Sequence, residues 1–83
     1  MSETKRALVL HVTGGGEPIM VAIDPHGADE LAATLPKKLL DGEIESITAA
    51  DGSPFVVNFS QVIAAHVDAT PPMSQPYGSI RRE

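Results

Sequence analysis

The sequence predicts an α+β domain: a mostly antiparallel sheet of four or five strands in the order β-β-α-β-β(-β), with one kinked helix packed on one face. Three observations carry this. Short apolar runs that alternate with a period of two lie on either side of one stretch with helical spacing. Glycine and acidic-glycine turns separate the runs. Apolar residues larger than alanine concentrate between positions 7 and 69, and outside that span lie only Met1, Met73, Tyr77 and Ile80.

The first strand is Ala7-Leu-Val-Leu-His-Val12, with Leu8, Leu10 and Val12 on one face and Ala7, Val9 and His11 on the other. Thr13-Gly-Gly-Gly-Glu-Pro18 is a turn, and Ile19-Met-Val-Ala-Ile23 is the second strand, so the two form a hairpin. Asp24 is placed as helix N-cap with Pro25 at the first helical position, although Gly27 allows a start at Ala28. Ala28, Leu31, Ala32, Leu35 and Leu39 make one apolar stripe. Asp29 and Glu30 are assigned to the first turn and Lys37 and Lys38 to the last, as the helix dipole favours. Pro36 lacks the N–H that would bond the Ala32 carbonyl, which predicts a helix over 28–35, a kink, and a short helical turn ending at Gly42.

The second half returns to a period of two. A third strand is expected over 45–49 with Ile47 and Ala49 inward, then a turn at Asp51-Gly52 and a fourth strand over 55–59 with Phe55, Val57 and Phe59 on one face. Residues 62–67 read as a fifth strand on their β-branched members, or as a short helix on their two alanines. The chain divides into a frayed start at 1–6, a single α+β domain at 7–69, and a disordered Pro-rich tail at 70–83.

Composition narrows the function. There is no cysteine, which excludes disulfide frameworks, thiolate metal sites and cysteine nucleophiles. Between positions 7 and 69 the only basic residues are Lys37 and Lys38, against nine acidic ones. Nucleic-acid affinity rests on clustered Lys and Arg that neutralise phosphates, so the body is not expected to bind nucleic acid directly. No apolar run approaches the roughly 18–20 residues of a membrane-spanning helix, and a cytoplasmic location is the default. The triple glycine is followed by Glu17-Pro18 and a strand, unlike a phosphate-cradling loop with its lysine and helix. Ser60, Thr13 and Ser53 have no base and orienting acid at supporting positions, so no catalytic residue and no cofactor are assigned, and an enzyme is not expected.

About 60 residues of core, with ten alanines in the chain, lie near the lower limit for independent folding. Self-association follows as an expectation, with a dimer favoured. The leading reading is a non-enzymatic protein-binding module that pairs with itself through a sheet edge or an exposed apolar sheet face. Leu8, Leu10, Phe55, Val57 and Phe59 are assigned to the core, and Val9, His11, Val56 and Ile63 to the outward set that a partner would cover. One alternative is a regulatory adaptor acting on a transcription or translation complex through its tail, with Pro72, Tyr77, Ile80, Arg81 and Arg82 as anchors. Another is a small-ligand or metal site at the helix start, formed by Asp24, His26 and Asp29. His11 and His66 would come together only if their strands are neighbours sharing a face, and would then supply two metal ligands.

The glycine hairpin, the Ala28-Asp-Glu-Leu-Ala32 helix start, and the Thr48…Asp51-Gly52…Val56-Val-Asn58…Val62…Val67 run resemble small bacterial, especially actinobacterial, domains of unknown function. The resemblance implies the same β-β-α-β-β layout and no particular reaction.

Overall fold

The computed structural model describes residues 5–70 and 76–78. Its elements are β1 (Arg6–Val12), β2 (Ile19–Ile23), α1 (Pro25–Asp41), β3 (Ile44–Thr48), β4 (Pro54–Asn58), a single 3-10 turn at Phe59–Gln61, and β5 (Val62–Ala69). The fold is α+β, with five antiparallel strands and one helix. The strands divide into two sheets: a three-stranded one in the order β2-β1-β5 and a two-stranded one, β3-β4.

β1 is the central strand. Leu8 faces Val21 on β2 and Val67 on β5, and Leu10 faces Ile19 and Ala65. Leu8, Leu10, Val21 and Ile23 therefore form one apolar sheet face. Ala28 and Leu35 of α1, Ile47, Val57 and Phe59 close over it, with Leu31 and Leu39 packed against them. A buried Leu, Ile or Phe contributes roughly 1.5–3 kcal/mol, so this single cluster supplies most of the drive to fold.

Residues 62–67 lie in a strand, not a helix. Valine and isoleucine fit the pleated surface, and pairing along β1 supplies the backbone partners that two alanines would otherwise seek in a helix. α1 begins at Pro25, because the Asp24 carboxylate accepts the His26 N–H at 3.0 Å and caps the first turn. Asp29 and Glu30 consequently fall beyond that turn, and Ala32 is exposed instead of joining the apolar stripe. The two pieces expected on either side of Pro36 are one helix. The turn after the proline is held from outside by an ion pair between Lys38 and Glu45 of β3 and by Leu35 and Leu39 in the core, and within the helix Lys37 lies against Asp41 at 3.2 Å. Gly42 ends the helix in the left-handed conformation, its N–H donating to the Lys38 carbonyl at 3.0 Å.

The two sheets are joined through the edge of β2. The Ala50 N–H donates to the Ala22 carbonyl at 2.8 Å. Tyr77 runs beside the same edge: its N–H donates to Met20 and its carbonyl accepts from Ala22, while the Asp51 N–H donates to Gly78. The Tyr77 ring packs on Phe55 of β4, with ring centroids 5.6 Å apart. Residues 76–78 of the segment read as a disordered tail are thus paired to the body, because β2 offers them an unpaired edge.

Gly78 is specific to this junction. Its φ is +75°, and a Cβ there would lie 2.2 Å from the Ala49 Cβ. Gly78→Ala is expected to cost about 1–3 kcal/mol by overpacking. Urea unfolding checks this; an unchanged midpoint would mean that the junction contributes nothing to the folded state.

In the β3–β4 turn, the Asp51 carboxylate accepts the Ser53 hydroxyl at 2.6 Å and the Ser53 N–H at 2.9 Å. These bonds favour the ionised form and hold the Asp51 carboxyl below its ordinary range, with the hydroxyl bond the larger cause. A carboxyl lowered in the folded state stabilises the fold at neutral pH, and that contribution fades as pH falls through the lowered value. Ser53→Ala is expected to flatten the acid side of the melting-temperature profile below the usual carboxylate range. A profile parallel to wild type down to low pH would contradict this.

Candidate functional site

The most distinctive surface is the outer edge of β5 together with the sheet face beside it. An antiparallel ladder bonds directly opposite residues in alternation. The Thr70 N–H donates to the Lys5 carbonyl at 2.8 Å, which makes 5 and 70 a hydrogen-bonded pair. The register then assigns the same status to 7 with 68, 9 with 66 and 11 with 64. Ala64, His66 and Asp68 therefore direct their N–H and C=O groups to β1, whereas Ala65, Val67 and Ala69 direct theirs outward. The opposite edge follows the same rule: Met20 and Ala22 of β2 face out and bond Tyr77. The Ala69 N–H is taken by the neighbouring Asp68 carboxylate at 2.8 Å, consistent with its pointing away from β1.

Among the described residues no strand pairs with the outer edge of β5. β5 is eight residues long, contains no Lys, Arg or Pro, and carries one carboxylate, Asp68. Lys, Pro and short length are the usual means by which edge strands are kept from pairing with other chains. β5 has none of them. An irregularity between His11 and Val12 leaves Ile63 without a register partner at the start of the strand, 67% exposed.

The face beside this edge carries two imidazoles. β1 and β5 are neighbours and share a face, so His11 and His66 do meet: their rings stack at 5.9 Å between centroids and 24° between planes. His66 Nε2 lies 3.8 Å from the Asp68 carboxylate.

Of the other residues assigned outward, Val9 is 7% exposed and offers nothing for a partner to cover. It sits on the central strand between Met20 and His66, so larger neighbours on both sides shade it. Val56 is 65% exposed, but on the outer face of β4 in the two-stranded sheet, apart from the β1–β5 face. Leu8, Leu10, Val57 and Phe59 are buried in the core, and Phe55 packs against it. Tyr77 has its backbone engaged by β2, whereas Pro72, Ile80, Arg81 and Arg82 lie outside the described residues. Ala65 and Val67, whose backbones form the open edge, escaped the sequence reading. The apolar alternation of β5 is muted by Ala64 and Ala65, and edge position is set by topology.

At the helix start, Asp24 and His26 stand together, with His26 Nδ1 3.4 Å from Asp24 Oδ1. Asp29 does not join them, and among the described residues no three His, Asp or Glu side chains converge as metal ligands. An open groove of about 610 Å³ runs between α1 and β3, with Ile23, Leu31 and Ile47 among its apolar lining residues and Glu30, Thr34 and Lys38 among its polar ones. Lys38 is paired with Glu45. No helix among the described residues is long and apolar enough to cross a membrane.

Compared with protein-family models, with curated proteins and with solved structures, the chain matches none.

Proposed function

We propose that this chain is a non-enzymatic, cytoplasmic protein-binding module whose first partner is a second copy of itself, paired antiparallel along the outer edge of β5. The observation that supports this best is that β5, eight residues with one carboxylate, turns the backbone groups of Ala65 and Val67 and the Ala69 carbonyl outward, where no strand among the described residues pairs with them. Each backbone hydrogen bond formed there contributes about 0.5–1.5 kcal/mol net, and several act in register.

Tyr77 occupies the other edge of the three-stranded sheet, at Met20 and Ala22. A two-fold contact along β5 uses that edge in both copies and forms a continuous six-stranded sheet.

Proline scanning along β5 separates the assembly from the fold. Ala65→Pro removes an outward N–H and no bond to β1, whereas Ala64→Pro removes a ladder bond. Sedimentation equilibrium is expected to show a wild-type dimer, and Ala65→Pro is expected to weaken it by at least about tenfold. Circular dichroism should show Ala65→Pro folded and Ala64→Pro destabilised. A folded wild type that sediments as an 8.7 kDa monomer at high micromolar concentration would overturn the proposal.

A further inference from the structure

We propose that the segment after Gly78, Ser79-Ile-Arg-Arg-Glu83, straps the open groove between α1 and β3 of its own chain, with Ile80 on the apolar lining and Arg82 against Glu30. This is independent of the β5 pairing. The five residues lie outside the described ones, but the described ones fix the point of departure, the direction and the receiving surface.

The bridge between Tyr77 and Val21 is parallel, so the chain beyond Tyr77 advances as β2 does, toward Ile23 and Asp24 at one end of the groove. In a parallel ladder the N–H of residue 79 would take the Ala22 carbonyl next. That carbonyl is already taken by the Ala50 N–H at 2.8 Å, so the pairing stops there. Gly78 is held on the 49–52 turn instead: its carbonyl accepts the Asp51 N–H at 3.0 Å, and it packs against Ala49. Ala49, Ala50 and Gly52 of that turn line the groove. The segment therefore starts at the groove's rim.

Reach and chemistry both fit. The groove follows α1 from Gly27 to Lys38, about 16 Å of helix. Five extended residues span at most about 16–18 Å. Successive extended residues point to opposite sides, so Ile80 and Arg82 face the groove together while Arg81 faces away. Ile80 is the one large apolar residue between 79 and 83, and it meets Ile23, Leu31 and Ile47. Leu31 is only partly buried by the core, and Ile80 completes its cover. Lys38, the one basic residue of the lining, is already paired with Glu45. Glu30 is in no ion pair among the described residues, and a guanidinium suits a carboxylate best. A peptide of the same apolar and basic character from another molecule would meet the same groove. The chain's own segment is tethered at the rim, at an effective concentration on the order of millimolar, and that favours it.

The test uses the full chain. It has no cysteine, so Glu83→Cys carries a single nitroxide spin label. Paramagnetic broadening of amide signals is expected at Leu31, Thr34 and Ser46, and Ala65 and Val67 on the outer edge of β5 should be spared. Ile80→Asp in the spin-labelled chain is expected to abolish this selectivity. Glu30→Arg is expected to abolish it as well, and the addition of Arg82→Glu to restore it, with the circular dichroism spectrum unchanged throughout. No selective broadening along the groove, or broadening that survives Ile80→Asp, would overturn the strap. A mixture of spin-labelled chain with ¹⁵N-labelled wild type identifies the source of the segment. Groove signals of the wild type should stay sharp; their broadening would assign the segment to a second copy and overturn the proposal.

Discussion

Everything in this fold follows from the position of β1 between β2 and β5. Because β1 is central, its even residues bond β2 and its odd residues bond β5, and that alternation fixes which backbone groups point outward at each edge of the sheet. At β2 the outward groups find Ala50 and Tyr77. At β5 the described residues provide no strand for them. Among the described residues, the three-stranded sheet thus has one edge covered and one with no strand beside it.

The same alternation decides the two faces. Leu8, Leu10, Val21 and Ile23 turn to α1 and the β3–β4 pair, and this small cluster carries the stability of the domain. The opposite face holds Val9 shaded between larger neighbours and, next to it, the stacked His11 and His66. A small core of this kind leaves a monomer with little stability to spare, since chain entropy offsets most of the burial gain. Joining two sheets along β5 would satisfy backbone groups without demanding further apolar area, which suits a chain so rich in alanine.

Most of the fold was legible in the sequence because its signals are local. The glycine hairpin, the Asp24 cap, the Gly42 terminator and the Asp51-Gly52 turn are each set by residues within a few positions of one another. What escaped the reading is non-local. Pro36 lies inside one continuous helix, and the turn after it is tied to β3 by Lys38 and Glu45 and to the core by Leu35 and Leu39. The division into two sheets, the burial of Val9 and the capture of Tyr77 by β2 depend on which strands become neighbours, and no local pattern states that. The candidate site divides in the same way. His11 and His66 stood out as chemistry-bearing residues, but their meeting, and the openness of the backbone at Ala65 and Val67, depend on β1 pairing with a strand more than fifty positions away.

The central claim is that the outward amides of β5 bond to a second copy, and residue-resolved amide hydrogen exchange at two protein concentrations tests it most directly. At high concentration the account predicts slow exchange at Ala65 and Val67, comparable with that at Ala64 and His66. Dilution should release the first pair and leave the second protected. Fast exchange at Ala65 and Val67 at every concentration, with Ala64 and His66 slow throughout, would contradict it.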